Sequence, residues 1–234
     1  MIQLSASAVK AYLRCKTGYY VRYVLKIRPE QTYYGRRGSI YHAVVENLHK
    51  YGYSPQQTFH ELGLTDAYGN VRDEYLIEVG GVLKWLLNYP YKNHTILHTE
   101  WQFDNVPIGR AVFRGMVDQI QERDTGIAVV DFKTEAAMST YKRLEEDPQY
   151  QIYALAYRSI YGVLPDNLIY CHARTGKERS ITLREGWEER LIHLVDEICT
   201  FTESGQTGWT GEGCSSCEHQ CMAVLEQRGM ICST

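Results

Sequence analysis

The pattern of hydrophobic and polar residues changes twice along the chain. Up to residue 93, apolar side chains recur at the spacing of an amphipathic helix. Ser5 or Ser7 can cap a first helix that runs to Ile27. Further helices are predicted at residues 39–51, 54–63 and 73–89. A Tyr-Tyr-Gly-Arg-Arg-Gly loop at residues 33–38 is expected between the first two helices.

Beyond residue 93, strand patterns alternate with helix patterns. The predicted strands lie at residues 94–103, 112–122, 127–132, 167–173 and 179–183. The predicted helices lie at residues 147–161 and 185–203. This order indicates an α/β fold with a mixed central sheet flanked by helices. We expect a helical N-terminal part (1–93), a core (94–205) and a cysteine-rich tail (206–234), packed as one compact unit.

Composition limits the binding partners that the chain can have. The 234 residues are 44% hydrophobic, which is enough for a buried core, and the net charge is −3. There is no global basic field, so any phosphate binding must come from local patches. No apolar run approaches the ~20 residues of a membrane span, and the start lacks the order of a signal peptide. We therefore expect a cytoplasmic protein without a membrane partner.

Candidate chemistry concentrates at the hairpin formed by the second and third strands. Asp118 lies within one strand, and Asp131 ends the other, two residues before Lys133. Because side chains alternate along a strand, Asp131 and Lys133 should point to the same face. An acid and a lysine aimed together from an apolar strand are costly unless a charged ligand lies between them. A divalent metal and a phosphate would satisfy both.

These residue types suit the hydrolysis of a phosphodiester. Carboxylates bind Mg²⁺ or Mn²⁺ through hard oxygens, and the carbonyl of Phe132 could add a neutral oxygen. Lys133 could orient water or offset the developing charge. Glu100 is either a further acid near the metal or a solvated strand carboxylate. Glu46 could reach the site, although pairing with a base is favoured.

The order of four motifs resembles the PD-(D/E)xK nuclease superfamily, and within it the RecB-like branch. The matching positions are Gly38-x-x-x-His42, Gly115-x-x-Asp118, Asp131-Phe132-Lys133 and Gln149-x-x-x-Tyr153. The resemblance implies a restriction-endonuclease-like sheet and assigns the roles. His42, Asp118, Asp131 and the Phe132 carbonyl would be metal ligands, Lys133 the catalytic lysine, and Gln149 and Tyr153 residues that border the site and help to place DNA.

The chain contains seven cysteines. Because disulfides are disfavoured in the cytosol, cysteines that cluster need another explanation. Cys214, Cys217 and Cys221 lie within eight residues, a spacing typical of metal sites, and a fourth ligand is needed. RecB-like nucleases with an iron–sulfur cluster, such as AddB and those associated with CRISPR adaptation, have one early and three late cysteines. The resemblance therefore implies a structural [4Fe-4S] cluster on Cys15 and these three residues.

The late cysteines depart from the usual C-x2-C-x5-C spacing, because position 223 is Ala. The last ligand is therefore Cys221, which we favour, or Cys232. His219 could also bind, which leaves zinc as an alternative cofactor. Unliganded thiols are a further alternative. The two cysteines inside predicted elements, Cys171 and Cys199, are expected in the core.

Local basic and aromatic residues indicate where DNA could bind. Arg36 and Arg37 precede His42 and form a candidate phosphate clamp, and Lys142-Arg143 is another. Aromatic residues that interleave with them could stack on bases. These are Tyr33, Tyr34, Tyr41, Tyr141 and Tyr150. For each residue, a solvated surface position is the competing interpretation.

Together these patterns predict a metal-dependent DNA nuclease. The resemblance favours exonuclease action on single-stranded or frayed DNA, in recombination, repair or CRISPR adaptation. No Gly-x4-Gly-Lys-Ser/Thr motor motif occurs, so the chain would act alone, as a homo-oligomer, or beside an adaptation integrase or recombination protein. The alternative is an inactive DNA-binding or scaffold subunit with a structural metal cluster.

Overall fold

The computed structural model describes residues 1–27, 33–91, 94–208 and 221–230. The strands are β1 (Ile2–Leu4), β2 (Thr95–Ile108), β3 (Ala111–Arg123), β4 (Gly126–Lys133), β5 (Asn167–His172) and β6 (Lys177–Ser180). The helices are α1 (Ala6–Arg14), α2 (Lys16–Tyr19), α3 (Tyr33–Tyr51), α4 (Pro55–Glu61), α5 (Leu76–Leu86), α6 (Tyr141–Glu145), α7 (Pro148–Tyr161), α8 (Trp187–Ser204) and α9 (Cys221–Gln227). A π-helical segment, Tyr20–Val24, continues α2, and a 3-10 turn, Asp73–Tyr75, precedes α5.

The strands form one mixed sheet with β3 near its centre. β2 runs antiparallel to β3 along almost all of its length. On the other side, β4 is antiparallel to β3, β5 is parallel to β4, and β6 is antiparallel to β5. A parallel pair needs a crossover connection, and α6 and α7 provide it between β4 and β5. The predicted mixed sheet with flanking helices is confirmed.

β1 and β4 share one edge of β3, because β2 occupies the other edge. β1 pairs with residues 111–113 and β4 with residues 119–123, so the segment between them has no strand partner on this edge among the described residues. β4 continues past its last pair with β3, Gln119↔Val130, as far as Lys133. We name this opening, between β3 residues 114–118 and β4 residues 131–133, the fork. Its backbone groups need partners other than a strand.

Helices cover both faces of the sheet. α1, α7 and α8 pack on one face, and α3, α4 and α5 pack on the other. Val129 is buried in the first core and Val130 in the second, as alternation along a strand requires. By the same alternation, Asp131 faces α7, whereas the Phe132 ring lies among the residues under α3. Helices from residues 1–93 thus pack on both faces of the sheet.

Several predicted elements differ from the structure. The first helix is divided at Cys15, whose backbone is extended between α1 and α2. The expected loop at residues 33–38 is the start of α3. Gly38 is used for close approach rather than for a turn, since a Cβ there would lie 3.1 Å from Thr134 Oγ1. β6 ends at Ser180 rather than at residue 183, and the short elements β1, α6 and α9 carried too few residues for a periodic signal.

Within the described residues, no helix combines the length and apolar character that crossing a bilayer requires.

Candidate active site

The fork brings Asp118 of β3 against His42 of α3. His42 Nδ1 lies 3.1 Å from Asp118 Oδ1, and the backbone N–H of Phe132 donates to Asp118 Oδ2 at 2.5 Å. Both carboxylate oxygens are therefore engaged, and Asp118 bridges the two diverging strands. Because the N–H and C=O of one residue in an extended strand point to the same side, the Phe132 carbonyl also faces the fork.

Asp131 and Lys133 point to the same face of β4, as strand alternation predicts. Lys133 Nζ lies 2.6 Å from Asp131 Oδ2, and Asp131 is only 2% exposed. Gln149 Nε2 donates to Asp131 Oδ1 at 2.7 Å, and the Tyr150 hydroxyl donates to Oδ2 at 3.2 Å. A buried carboxylate is thus held by three side chains in addition to its strand.

The start of α7 positions Gln149. The side chain of Asp147 caps α7 by accepting from the Gln149 N–H at 2.9 Å, and Pro148 occupies the first turn. One turn later, the Tyr153 hydroxyl lies 2.7 Å from Gln149 Nε2. The two motif residues therefore share a helix face, and both reach the site.

Lys10 of α1 is a site neighbour that sequence reasoning missed. Its Nζ donates to Asp147 Oδ2 at 2.7 Å and to Gln149 Oε1 at 3.1 Å. This contact joins residues 137 and 139 positions apart in sequence. No local pattern signals such a contact, because only the packing of α1 against α7 creates it.

Burial opposes charge throughout the site, and neighbouring charges decide the outcome. Burial would lower the pKa of His42, but the charge of Asp118 and its hydrogen bond raise that pKa overall. Burial would raise the pKa of Asp118, but His42 and Lys133 lower it overall. Burial likewise opposes the charge of Lys133, yet Asp131 and Asp118 raise the lysine pKa. At Asp131 burial prevails over Lys133, and the pKa of this carboxyl is raised. Asp131 would therefore gain from a further positive charge.

Glu100 of β2 lies close to His42 and Asp118 at the fork. Ligand atoms of His42, Glu100 and Asp118 all lie within 4.8 Å of one another. Glu100 is in the left-handed region, with φ 49°, which is unusual for a residue inside a strand. Burial, followed by the charge of Asp118, raises its pKa to about 7. Of the two interpretations of Glu100, proximity to the candidate metal site is the one that the structure supports.

This donor set fits a divalent cation with hard-ligand preference. Two carboxylates, an imidazole nitrogen and the nearby Phe132 carbonyl are ligand types that Mg²⁺ and Mn²⁺ accept. Burial is the main cause of the raised pKa of Glu100, and the negative charge of Asp118 adds to it. A cation among these atoms would relieve the repulsion between the Glu100 and Asp118 carboxylates.

The residues on α3 that were predicted to contact DNA differ in their accessibility. Arg36 Nη2 lies 3.5 Å from Glu78 Oε1, and Arg37 Nη2 donates to the Ile77 carbonyl, so both side chains contact α5. The expected loop at residues 33–38 is helical, and both arginine side chains extend toward α5. Tyr41 is fully buried, and its ring lies 5.9 Å from that of Phe132, so it is not accessible to a base.

The remaining aromatic and acidic candidates lie in different environments. Tyr150 is also fully buried, and its hydroxyl donates to Asp131, so its ring is not available to stack on a nucleobase. Tyr141 is 52% exposed, and the Arg179 guanidinium lies over its ring at 4.3 Å. The side chains of Tyr33 and Tyr34 lie outside the described part of the structure. Glu46 Oε1 lies 3.4 Å from Lys50 Nζ, the pairing with a base that was favoured.

Two of the four predicted cluster cysteines are described. The Cys15 thiol accepts from the Gly18 N–H at 3.3 Å at the start of α2. Cys221 is buried at the start of α9, in an apolar cluster with Tyr20, Val21 and Leu225. α9 therefore packs against the π-helical segment that closely follows Cys15. Cys214, Cys217, His219 and Cys232 lie outside the described residues.

Cys171 and Cys199 belong to the core, as predicted. Cys171 lies on β5 in the core under α3, and Cys199 lies on α8 in the core of the opposite face. Their exposures are 0% and 1%. Burial raises the pKa of the Cys171 thiol to about 12, so this thiol is not a candidate ligand or nucleophile.

A sequence model of the PD-(D/E)XK nuclease superfamily matches residues 3–222 of the chain. Among crystal structures, the fold is similar to that of a protein from Eubacterium rectale, proposed in its description to be an exonuclease. The two are 13% identical, the TM-score is 0.61, and the match covers 98% of this chain and 94% of the other. At this identity the likeness shows the fold alone.

A second crystal structure, that of SSO0001, is 16% identical with a TM-score of 0.38, over 94% of this chain and 93% of the other. That score is too low to carry an argument. No curated protein matches the sequence.

Proposed function

The chain belongs to the PD-(D/E)XK nuclease superfamily, and we propose that it is a divalent-metal-dependent DNA nuclease. The observation that carries the proposal is the pair formed at the fork by buried Asp131 and half-buried Lys133, 2.6 Å apart, beside His42, Glu100 and Asp118. An apolar strand end would be simpler to fold than this arrangement of charges. Perturbed charged groups converging at one opening are typical of a reactive site.

Each residue has a proposed role that follows from its contacts. His42, Asp118, Asp131 and the Phe132 carbonyl would hold Mg²⁺ or Mn²⁺, with Glu100 as a further acid. The metal would supply Lewis acidity toward the phosphoryl oxygen and an acidified water. Lys133 would stabilise negative charge on the phosphate and orient the water, since its raised pKa keeps the ammonium charged.

α7 would position the acidic ligand rather than react. Gln149 and Tyr150 fix both oxygens of Asp131 by hydrogen bonds, and Tyr153 supports Gln149. Ligands held in this way lose little freedom when a metal binds. Metal binding at His42 also requires a neutral imidazole, and the raised pKa of His42 makes protons compete with the metal.

We propose exonuclease action on single-stranded or frayed DNA, in recombination, repair or CRISPR adaptation. The chain would work alone, as a homo-oligomer, or beside an adaptation integrase or a recombination protein. We also propose a structural [4Fe-4S] cluster on Cys15, Cys214, Cys217 and Cys221, with zinc as the alternative metal. The packing of α9 on the segment after Cys15 supports the idea that the two ends of this ligand set meet.

The test of the nuclease proposal uses end-labelled single-stranded DNA with Mn²⁺ or Mg²⁺. We expect progressive shortening by the parent protein and loss of more than about 100-fold in rate for Asp131→Asn or Lys133→Ala. Asp124→Asn is the matched control, because Asp124 is an exposed residue at the turn end of the same hairpin. This control variant should cleave at the parent rate.

A covalently closed circle of the same sequence separates exonuclease from endonuclease action, since an exonuclease leaves it intact. If the parent binds DNA but cleaves neither substrate with either metal, the catalytic proposal is wrong. The inactive DNA-binding or scaffold subunit would then be the better description.

A further inference from the structure

The site opens onto a cleft that the proposed catalytic roles do not use. Its volume is about 850 Å³. One wall consists of α1 and the π-helical segment, and the other consists of α6 and the start of α7. Lys133 and Gln149 line the same cleft, so it connects directly with the candidate active site.

The lining of the cleft is strongly basic. The basic side chains are Lys10, Arg14, Arg22, Lys133, Lys142 and Arg143. Among the lining residues that the structure describes, Glu146 and Asp147 are the acids, which leaves an excess of four positive charges in a chain whose net charge is −3. Lys10 is engaged with Asp147 at 2.7 Å. Like charges gathered across an opening favour the binding of a polyanion.

Four of these basic residues are exposed and stand on opposite walls. Arg14 and Arg22 belong to the first wall, and Lys142 and Arg143 belong to the second. A strand that passed between the walls would have cations on both sides of its backbone. Such contacts position a nucleic acid without reading its sequence.

The first wall also offers apolar and aromatic surface. Leu13 is 55% exposed, and the half-buried Tyr23 stacks on Tyr19 with ring centroids 5.6 Å apart. Basic grooves combined with such side chains are typical of proteins that bind single strands, because unpaired bases can contact them. The bases of a duplex are stacked inside the helix and cannot contact these side chains.

The floor of the cleft favours a single strand as well. Asp131 is 2% exposed and Gln149, which donates a hydrogen bond to it, is 9% exposed, so this part of the site is recessed. A phosphate on the outside of a duplex is held by its helix and cannot follow the cleft inward. A separated strand has the flexibility to do so.

We propose that this cleft holds single-stranded DNA beside the bond to be cleaved. Its phosphates would contact Arg14 and Arg22 on one wall and Lys142 and Arg143 on the other, and its bases would contact Leu13 and Tyr23. The identity of the reacting phosphate rests on the proposed nuclease function, whereas strand binding itself does not. The cleft adds a second candidate DNA surface to the predicted clamp of Arg36 and Arg37, whereas Tyr41 is buried.

The test measures binding of a fluorescent single-stranded oligonucleotide by anisotropy, in EDTA so that no cleavage occurs. Arg22→Gln and Lys142→Gln each remove one cation from a different wall. Lys84→Gln is the matched control, because Lys84 is exposed on α5, on the opposite face of the sheet. At 0.1 M salt we expect each cleft variant to bind about fivefold more weakly, with a salt slope smaller by about 0.7. The control variant should match the parent.

The outcomes separate the two proposals. If the cleft variants bind DNA as tightly as the control, the proposal that the cleft holds DNA is wrong. It is also wrong if the parent binds no single-stranded DNA. Tighter binding of the matching duplex or of an RNA of the same sequence would overturn single-stranded DNA as the occupant. A parent that binds as expected but fails to hydrolyse DNA with Mn²⁺ would leave the cleft supported and contradict the nuclease proposal alone.

Discussion

Among single residues, Asp131 is where burial and charge conflict most clearly. Its carboxyl is 2% exposed and is contacted by Lys133, Gln149 and Tyr150. Burial still raises its pKa, so these contacts do not fully repay the loss of water. A buried ionic group of this kind is weak evidence for stability and stronger evidence for chemistry.

Glu100 provides a pH test at the same scale. Its folded-state pKa of about 7 lies above the ordinary 4.5, so its neutral form favours the folded state. The stability from Glu100 should be complete below pH 4.5 and lost as the pH rises through 7. In EDTA, Glu100→Gln should gain roughly 1 kcal/mol on the parent between pH 5 and pH 8, less than the full shift because Glu100 is partly exposed.

Urea unfolding at several pH values measures this difference. Comparison with the variant is needed because the pKa values of His42 and Asp131 are also raised and add their own pH dependence. Parallel stability curves for the parent and Glu100→Gln would show that Glu100 is not perturbed.

At the scale of elements, the long β2–β3 hairpin depends on Gly115. This residue pairs with Phe103 across the two strands, three positions before Asp118. A Cβ at position 115 would lie 2.5 Å from the Phe103 ring. The Gly-x-x-Asp motif is therefore partly a packing requirement of the strand that carries the acid.

Gly115→Ala should destabilise the fold by about 1–3 kcal/mol, because the Phe103 ring must leave its place. Gly80→Ala in α5 is the control, since Gly80 is exposed and a Cβ there has no atom within 4 Å. That variant should be neutral or up to about 1 kcal/mol more stable, as alanine favours a helix. Denaturant midpoints compare the two, and equal effects would contradict the role of Gly115.

The helix around Cys15 shows a limit of periodicity. Tyr12 and Tyr19 both lie in one core and fit a single long helix, yet the backbone at Cys15 is extended. Cys15 ends α1 and caps α2 through its sulfur, which is a local hydrogen bond that an apolar pattern does not reveal. The interruption presents this thiol at an element boundary.

For the whole molecule, substitutions at the proposed cysteine cluster and at the acidic site should have different effects on stability and bound metal. Cys15→Ser keeps an acceptor for the Gly18 N–H, so it removes the proposed cluster ligand while retaining the cap. We expect loss of bound metal and a fall of about 5 °C or more in the unfolding temperature. Asp131→Asn should retain the metal of the tail and the unfolding temperature.

Metal analysis, visible absorption under anaerobic conditions and thermal unfolding make this comparison. Brown protein containing iron would support the [4Fe-4S] cluster, whereas colourless protein with stoichiometric zinc would replace it by zinc. A Cys15→Ser protein that retains its metal and stability would contradict the assignment of Cys15.

Local patterns were enough to predict most of the elements, whereas the four nuclease motifs came from the resemblance to the superfamily. Strand alternation placed Asp131 and Lys133 on one face, and helix spacing placed Gln149 and Tyr153 on another. Residues 33–38 were mispredicted because Gly35 and Gly38 resemble a turn, whereas the close contact with Thr134 explains Gly38. Tyr41, predicted as a residue that stacks on bases, is buried in the core instead.

By itself the sequence determined the residue types and the order of the chemistry, because alternation and helical period act over a few neighbouring positions. Only the tertiary structure decided which of these groups meet. The approach of Glu100 to His42 and the contact of Lys10 with Gln149 join segments far apart in the chain. Such contacts arise from packing on the two faces of the sheet, which no local pattern encodes.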